Sequence, residues 1–329
     1  MSTSWIILCP GQGAQAVGMG KNWFDHANPA GQAAAREIFA RADKQLGTRL
    51  GVTLSELCFS GPAERLNQTD ASQPAIYTVS MACWAGWLAS QNVTINDAAA
   101  SVKAALGLSL GEYTALALAG AFSFEDGLEL VTLRGRAMQD AADSPAARAG
   151  GGGGMLALIG ATDEQAAEIC DKAREKDVLV CANYNAPGQV VLSGHKVACE
   201  RAAKVAEGMG LRSSMLAVAG AFHSPLMQPA ADSLAAALAK TPIKAPRNTV
   251  IANVTAKPYG EGASVTDGEI RQRLAQQLTS SVKWSQSCQW MAGNLLTGGG
   301  DVYELSPGKT LMGLMRRIDK GVKVNALDG

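Results

Sequence analysis

The stretch VKAALGLSLGEYTALALA, residues 102–119, decides the fold, because it reads as a strand, a tight turn and a helix in succession. Its first five residues are mostly apolar, and the part from Glu112 onward is typical of a helix. Between them lies Gly107-Leu108-Ser109-Leu110-Gly111, a serine flanked by glycines where a strand passes into a helix. Such a turn exposes the serine oxygen beside helix N–H groups that favour negative charge. The pattern predicts a nucleophilic serine, although a turn without chemistry fits the pentapeptide equally well in a chain with 36 glycines.

Composition narrows the class of protein. The chain has 329 residues, of which 47% are hydrophobic, and its 29 basic residues balance 29 acidic ones. This length suffices for one large domain or two smaller ones. A zero net charge provides no basic field, so we do not expect nucleic-acid binding. No apolar run approaches the ~18–20 residues of a membrane span, and no signal-peptide pattern precedes the apolar run at 5–9. We therefore expect a cytoplasmic protein with no membrane partner.

Cysteines and glycine-rich loops give no support for a metal or a nucleotide cofactor. The seven cysteines are scattered, and none forms a CxxC pair or a Cys/His cluster with metal spacing. Their odd number favours free thiols in a reducing compartment over disulfides. The loop Gly11-Gln12-Gly13 begins like the dinucleotide motif GxGxxG, but Ala16 replaces the third glycine and no Walker lysine follows. Dinucleotide binding is therefore the weaker reading of this loop.

Strand, loop and helix patterns alternate along most of the chain. We expect strands at 5–9, 102–106 and about 249–254, and helices at about 30–45, 73–90, 111–120, 125–142 and 224–239. This alternation predicts an α/β layer with a mainly parallel sheet. Functional loops of such sheets lie at the carboxyl ends of the strands. The loop at 10–15 and the Ser109 turn should therefore share one edge.

A different order of elements begins near residue 154. Strands are expected at 155–160, 178–184, 189–193 and 212–218, and helices at 162–175 and 196–208. This βαββαβ order is the ferredoxin-like pattern. The run of glycine and alanine at 146–154 would form a hinge or linker. The sequence therefore predicts a discontinuous large α/β domain, residues 1–147 and 219–329, with an inserted subdomain at 148–218.

A nucleophilic serine needs a base within hydrogen-bond reach, and the chain has three histidines. His26 lies in a polar segment that has no motif. His195 begins a helix of the insertion, where a surface or capping role is expected. His223 lies in a turn where the chain returns to the large domain, so it can face the cleft between the two. We predict His223 as the base, with a structural turn histidine as the alternative.

Arg134 lies on the apolar face of its predicted helix. It shares that face with Leu130, Met138 and Ala141 at helical spacing, so its guanidinium should point inward or into a cleft. A buried guanidinium without a partner is costly. A protein carboxylate or a substrate carboxylate held by the guanidinium fork would satisfy it. Helix geometry leaves both possibilities open.

Six motifs occur in an order that indicates a family. They are Pro10-Gly-Gln-Gly-Ala-Gln15, Gly107-Leu-Ser-Leu-Gly-Glu-Tyr113, Arg134 with Met138-Gln139, Asn183-Tyr-Asn-Ala-Pro-Gly-Gln189, Gly220-Ala-Phe-His-Ser224 and Glu304-Leu-Ser-Pro-Gly308. Together they resemble the malonyl-CoA:acyl-carrier-protein transacylases of fatty-acid and polyketide synthesis, over nearly the whole chain. The resemblance implies an α/β-hydrolase-like domain with a ferredoxin-like insertion. It also implies transfer of a malonyl group from CoA to the phosphopantetheine thiol of an acyl carrier protein, without a metal or redox cofactor, by a monomer.

The resemblance also implies individual roles. Ser109 matches the acylated nucleophile, and His223 matches the base of a Ser-His dyad. The N–H groups of Gln12 and Leu110 match the oxyanion hole. A backbone carbonyl near Gln277 would orient the imidazole, and Arg134 would clamp the malonyl carboxylate. Phe222 would favour malonyl over methylmalonyl. Gln277 and Asn185 are further matches for substrate-binding residues.

Two positions of this chain depart from the family pattern. Leu108 replaces the family's histidine before the serine, and Ser306 replaces its glycine before Pro307. The leucine side chain cannot form a hydrogen bond, so any polar contact made by that histidine is missing and the acyl selectivity is in question.

The resemblance also implies a docking surface. The acidic carrier protein of this family would dock on basic residues; the candidates are Arg316, Arg317 and Lys320. Their alternative is an ordinary solvated helix end.

Two other functional classes remain possible from the sequence. The first is an esterase or thioesterase on a related fold, which would use water as the acceptor. A buried cationic fork argues against a general esterase. The second is a non-catalytic module that binds carrier protein. The combination of Ser109, His223 and Arg134 argues against that module.

Overall fold

The computed structural model describes residues 4–148 and 151–328 of the chain. The strands in this part are β1 Trp5–Cys9, β2 Val102–Gly107, β3 Gly153–Ile159, β4 Leu179–Ala186, β5 Gln189–His195, β6 Arg212–Met215, β7 Thr249–Ala252, β8 Lys257–Pro258, β9 Asp301–Leu305 and β10 Val324–Leu327. The helices are α1 Lys21–Phe24, α2 Pro29–Leu46, α3 Leu54–Ser60, α4 Ala63–Leu66, α5 Thr69–Ser90, α6 Ile95–Ser101, α7 Gly111–Leu118, α8 Phe124–Ala142, α9 Pro145–Arg148, α10 Asp163–Arg174, α11 Lys196–Gly208, α12 Gln228–Lys240, α13 Asp267–Gln277, α14 Trp284–Leu295 and α15 Thr310–Ile318. A 3₁₀ turn, Pro225–Met227, precedes α12.

The larger sheet has six strands in the order β10-β9-β1-β2-β7-β8. All neighbouring pairs are parallel except β7 with the short β8. Its central strands are nearly continuous apolar runs, which is typical of strands buried on both faces. The prediction of an α/β fold with a mainly parallel sheet is confirmed.

Two apolar cores lie on opposite faces of this sheet. Alternate residues of β1 separate to the two faces, as the pleat of a strand requires: Ile7 belongs to one core, and Ile6 and Leu8 belong to the other. Helices α2, α5, α7 and α8 supply the first core. Helices α14 and α15 supply the second. The sheet is thus covered by helices on both sides, and its loops at the carboxyl ends of the strands stay accessible.

The turn between β2 and α7 lies directly against the loop that follows β1. The Leu108 N–H donates to the Cys9 carbonyl at 3.1 Å. A Cβ atom on Gly11 would lie 2.3 Å from the Leu108 carbonyl oxygen, and one on Gly107 would lie 1.8 Å from the Gly111 carbonyl carbon. Only glycine allows these approaches. The prediction that the two loops share one edge is therefore confirmed.

The second sheet has four antiparallel strands in the order β4-β5-β3-β6. Helices α10 and α11 cover one face of it, and their apolar sides form a separate small core. The elements follow one another as βαββαβ, which is the order expected for residues 148–218. The boundaries of the two domains stay predictions. Strand β6 ends at Met215, three residues short of the expected Val218.

Backbone hydrogen bonds at Val282 help to join the second sheet to the larger layer. Val282, after α13, donates its N–H to the Ala182 carbonyl at 2.8 Å and accepts from the Tyr184 N–H at 3.0 Å. The linker expected at 146–154 is shorter than the sequence suggested: α9 reaches Arg148 and β3 begins at Gly153, while residues 149 and 150 lie outside the described residues. The two layers therefore meet closely at the edge that carries the Ser109 turn.

All seven cysteines are unpaired, and six of them are buried, as the sequence predicted. In the described part of the chain, no helix combines the length and the apolar character that crossing a membrane requires.

Candidate active site

Ser109 occupies the sharp turn between β2 and α7 with a left-handed backbone, φ 51°. A side chain after β7 braces this turn: Asn253 accepts from the Ser109 N–H at 2.7 Å, and its Nδ2 donates to the Gly107 carbonyl at 2.7 Å. Left-handed geometry in a residue with a side chain costs about 1–3 kcal/mol and persists where the surroundings over-determine it. The turn therefore holds Ser109 Oγ in one fixed place.

His223 lies against this serine. Its Nε2 is 2.8 Å from Ser109 Oγ, and its Nδ1 is 2.8 Å from the Gln277 carbonyl oxygen. A carbonyl only accepts hydrogen bonds, so Nδ1 carries the proton and Nε2 is free to accept from the hydroxyl. Burial, helped by the nearby Arg134 cation, lowers the pKa of His223 to about 4. The imidazole is therefore neutral at physiological pH and can act as a base.

Arg134 is fully buried beside the dyad, with 1% of its surface exposed. Its Nη1 donates to Gln73 Oε1 at 2.7 Å, and its Nη2 donates to Gln277 Oε1 at 2.9 Å and to Ser109 Oγ at 3.1 Å. Within residues 4–148 and 151–328, no carboxylate pairs with this cation at 4.0 Å or less. The alternative of a salt bridge to a protein carboxylate is therefore wrong. Two neutral amides orient the guanidinium, and its charge remains available.

Two backbone donors point to an anion site next to Ser109. Leu110 starts α7, and Gln12 lies in the loop that packs against the Ser109 turn. Neither N–H group has an acceptor among the residues that the structure describes. Unpaired N–H groups at a helix start favour negative charge. These are the two donors that the sequence assigned to the oxyanion hole, and that role stays a prediction.

A buried polar network lies behind the dyad. Glu112 Oε2 accepts from Gln277 Nε2 at 2.6 Å and from the Asn253 N–H at 3.2 Å, and its Oε1 accepts from the Tyr259 hydroxyl at 2.5 Å. Burial raises the pKa of the Glu112 carboxyl to about 7, against the opposing effect of these hydrogen bonds. Gln277 therefore links Glu112 to Arg134 and, through its own carbonyl, to His223.

A cleft of roughly 360 Å³ lies between the two sheets and reaches His223. Its lining residues are Val180, His223, Pro225, Val254, Thr279, Ser280, Ser281 and Lys283. Val180 belongs to the second sheet, and the others follow it in the chain after residue 222. Access to the histidine side of the dyad is therefore shared by both layers.

Three residues that the sequence singled out, two of them next to the dyad in the chain, make no side-chain hydrogen bond to the dyad. Phe222 is 5% exposed and packs in the core of the larger layer. Leu108 is half-buried and contacts the core on the other face of the sheet. Asn185 lies on β4, and its buried Oδ1 has no hydrogen-bond partner among the described residues. The roles assigned to Phe222 and Asn185 stay predictions.

The other two histidines are held elsewhere. His26 stacks on Trp23 with ring centroids 4.6 Å apart. His195 stands at the N-cap position of α11, where the sequence placed it, but its side chain makes no cap hydrogen bond; it is 12% exposed and its Nδ1 lies 3.1 Å from Asp177 Oδ1. The contact with Asp177 joins residues 18 positions apart, so the helix-start pattern could not reveal it. Of the three histidines, His223 is the one that lies beside Ser109, and its role as the base stays a prediction.

Four residues of the site escaped sequence reasoning: Gln73, Glu112 as a network member, Asn253 and Tyr259. Asn253 directly follows β7, so its position at the carboxyl end of a parallel strand was a usable signal. Glu112 adjoins the glycine of the serine turn. Gln73 is a buried polar residue within α5 and carries no local signal. In the described part of the chain, no three His, Cys, Asp or Glu side chains form a metal-sized group.

Comparisons with known proteins agree with one another. The model of the acyl transferase domain family matches residues 6–295. Malonyl CoA-acyl carrier protein transacylase of Salmonella typhimurium is 37% identical over 328 residues, which cover 99% of this chain and 96% of that protein. The crystal structure of malonyl-CoA:acyl carrier protein transacylase from Xanthomonas oryzae pv. oryzae matches with a TM-score of 0.86 at 36% identity, over 100% of this chain and 95% of that one.

A further solved structure holds a carrier protein. It is a malonyl-transacylase in complex with its type II PKS acyl-carrier protein, and it matches with a TM-score of 0.85 at 32% identity. The match covers 98% of this chain and 96% of that one.

Proposed function

The chain belongs to the acyl transferase domain family, and on that premise we propose that it moves malonyl groups from CoA to acyl carrier protein through Ser109. The chain is an enzyme of the malonyl-CoA:acyl-carrier-protein transacylase kind. The observation that carries the residue assignment is the unneutralised Arg134 cation, 3.1 Å from the Ser109 hydroxyl oxygen. A guanidinium fork beside a nucleophile suits an acyl group that ends in a carboxylate.

In the first half-reaction, Ser109 Oγ attacks the thioester carbonyl of malonyl-CoA while His223 Nε2 takes its proton. The Gln277 carbonyl, 2.8 Å from Nδ1, steadies the imidazolium that forms. The N–H groups of Gln12 and Leu110 hold the oxyanion of the tetrahedral intermediate. The intermediate collapses, the C–S bond breaks, and His223 returns the proton to the CoA sulfur. Ser109 is then an ester of malonate.

In the second half-reaction, the phosphopantetheine thiol of the carrier protein takes the place of CoA. His223 removes the thiol proton, the sulfur attacks the ester carbonyl, and the same oxyanion site is used again. Collapse breaks the C–O bond, and His223 protonates Ser109 Oγ. The cycle balances in atoms and charge with these groups alone, and the expectation that no metal or redox cofactor takes part stays a prediction.

Arg134 selects the acyl group in this scheme. The malonyl carboxylate would meet a buried cation that pairs with no carboxylate of residues 4–148 and 151–328. In such a low-dielectric site a charge-assisted pair is stronger than at the surface. An acetyl group offers nothing to that cation and leaves it buried without a counter-charge.

Intact-protein mass spectrometry after brief mixing with malonyl-CoA tests this function. We expect a malonyl mass increment on the native chain and none on Ser109→Ala, followed by loss of the increment when carrier protein is added. An adduct that decays equally fast without carrier protein would indicate a hydrolase instead. A folded native chain that forms no adduct would support the non-catalytic alternative.

A further inference from the structure

Glu112 is 1% exposed and takes no part in the steps above, although only two residues separate it from the nucleophile. We propose that Glu112 is a positioning residue for the acyl carboxylate: it fixes the side-chain amide of Gln277 so that the amide oxygen faces Arg134. This inference rests on the proposed function, because it concerns the residue that would clamp the malonyl group.

The Gln277 amide makes contacts at both of its ends. Its Nε2 donates to Glu112 Oε2 at 2.6 Å and to the Ser109 carbonyl at 3.0 Å, and its Oε1 accepts from Arg134 Nη2 at 2.9 Å. An amide rotated by 180° would place its NH₂ group against the guanidinium, which only donates. It would also place its oxygen against the Glu112 carboxyl oxygen. The position of Glu112 Oε2 therefore selects the orientation that serves Arg134.

Glu112 is itself held in place from two sides. The Asn253 N–H donates to Oε2 at 3.2 Å, and the Tyr259 hydroxyl donates to Oε1 at 2.5 Å. Oε2 thus faces two donors, Asn253 N–H and Gln277 Nε2, whatever the ionisation state of the carboxyl group. When the carboxyl is protonated, its proton belongs on Oε1, because the Tyr259 oxygen can accept as well as donate. The contribution of Glu112 is therefore the reach of Oε2 and not its negative charge.

The charged groups around Glu112 agree with this assignment. Arg134 on α8 lies beyond the Gln277 amide, Tyr113 is on the same helix as Glu112, and Arg273 lies over the Tyr259 ring at 5.8 Å. A carboxylate in direct contact with Arg134 would cancel the charge that a substrate carboxylate needs. Because the Gln277 amide lies between them, Glu112 fixes the orientation of the amide oxygen that faces Arg134 without forming an ion pair with Arg134.

Two single substitutions separate reach from charge. Glu112→Gln keeps the length and can turn its oxygen to Gln277 and its NH₂ group to Tyr259. Glu112→Asp keeps the charge but withdraws the carboxylate by one methylene. The measurement is the kcat and KM of acyl-enzyme formation with malonyl-CoA and with acetyl-CoA, in protein whose thermal unfolding curve shows that it is folded.

We expect Glu112→Gln to stay within about threefold of the native kcat/KM for both donors, whereas Glu112→Asp should lose about 10–100-fold with malonyl-CoA, since misplacement by about 1 Å costs that much. Its loss with acetyl-CoA should stay within about threefold. If Glu112→Asp does not fold, Glu112→Met replaces it, because methionine fills the same length without an acceptor.

Three results overturn the inference. Equal losses with both donors in the shortened variant would make Glu112 merely structural. A kcat/KM for malonyl-CoA within about threefold of the native value in that variant would make the reach of Oε2 irrelevant. A loss above tenfold in Glu112→Gln would assign its role to charge. Failure of the native chain to be acylated at all is a different result, since it rejects the proposed function before any variant is compared.

Discussion

Ser109 Oγ and His223 Nε2 lie 2.8 Å apart, and both residues hold a left-handed backbone, with φ 51° and 57°. In L-residues with side chains this conformation is costly, and it is found where other contacts enforce it. Asn253 enforces it at Ser109, and the hydrogen bond from Nδ1 to the Gln277 carbonyl anchors the His223 side chain. The fold thus stores backbone strain in the two residues that would carry the chemistry.

Release of that strain should be measurable as stability. Ser109→Gly should have a free energy of unfolding about 1 kcal/mol higher than Ser109→Ala, because both lose Oγ and only glycine is relaxed at positive φ. Chemical denaturation of the two variants makes the comparison. Ser72, in the helical geometry of α5, is the matched control, and there the order should reverse, with glycine the less stable by about 1 kcal/mol. Equal stabilities at position 109 would mean that the turn is unstrained.

Loss of the buried cation should separate the two acyl donors. Arg134→Ala should lower kcat/KM for malonyl-CoA by about 10²–10³-fold, the size typical of one lost charge-stabilising donor, and should lower it far less for acetyl-CoA. Arg134→Lys keeps the charge without the guanidinium fork, so its kcat/KM for malonyl-CoA should lie between the values of the native chain and of Arg134→Ala. Steady-state transfer to carrier protein from each donor provides the numbers. Parallel losses for both donors would make Arg134 a structural residue.

The depressed pKa of His223 should appear in the pH dependence of acylation. The neutral imidazole is the base, so activity falls when pH drops through its folded pKa. With that pKa at about 4, kcat/KM, which reports the free enzyme, should stay flat down to about pH 5.5, where an ordinary histidine would already be mostly charged. In Arg134→Ala, assayed with acetyl-CoA, the acid limb should move to higher pH, because the cation no longer opposes protonation. A native limb near pH 6.5 would contradict the burial argument.

Asn253 should matter equally for every acyl donor. Asn253→Ala leaves the Ser109 N–H and the Gly107 carbonyl unpaired at the turn, so Oγ loses its fixed position. We expect kcat/KM to fall by about 10–100-fold for malonyl-CoA and acetyl-CoA alike, since the change touches the nucleophile and not the clamp. Rapid-quench measurement of Ser109 acylation with both donors is the assay. A selective loss of malonyl transfer would place Asn253 in the acyl pocket instead.

The carrier-protein surface predicted from the sequence can be tested by charge reversal. Arg316 and Arg317 are exposed in the last turn of α15. That helix starts just after Gly308, beside the loop at 10–15, and its far end lies roughly 12 Å along the helix axis from its start. Reversal of both arginines to glutamate should raise the KM for carrier protein several-fold and leave acylation by malonyl-CoA unchanged. Lys44→Glu, on α2 across the sheet, is the control. An unchanged KM for carrier protein would remove these residues from the docking surface.

Sequence patterns predicted those parts of the site that depend on residues close together in the chain. The serine turn, the α/β alternation and the burial of Arg134 follow from glycine spacing and apolar periodicity, and three histidines left one plausible base. The part played by Gln277 came only from the resemblance to a family. In the structure its carbonyl meets His223, and its side chain also meets Arg134 and Glu112.

The remaining contacts depend on residues that meet only in three dimensions. Asn253 reaches Ser109 across 144 positions of sequence, and Gln73 reaches Arg134 across 61. Each is a polar residue whose neighbours in the chain are unremarkable in composition. Nothing in a window of ten or fifteen residues records such a meeting, because the partner enters the free-energy balance only after the layers have packed. The half-buried pairing of His195 with Asp177 escaped prediction for the same reason.

The pairing of β1 with β9 joins an early and a late part of the chain, so it can form only after β9 has been synthesised. A nascent chain that has not yet emerged to Gln277 lacks the acceptor for His223 Nδ1, and one that stops before β9 leaves a flank of β1 uncovered. Contacts of such long sequence separation form slowly and late. A ribosome-bound fragment that stops before Gln277 should therefore be inert towards acyl-CoA, because its His223 lacks the carbonyl that orients the imidazole.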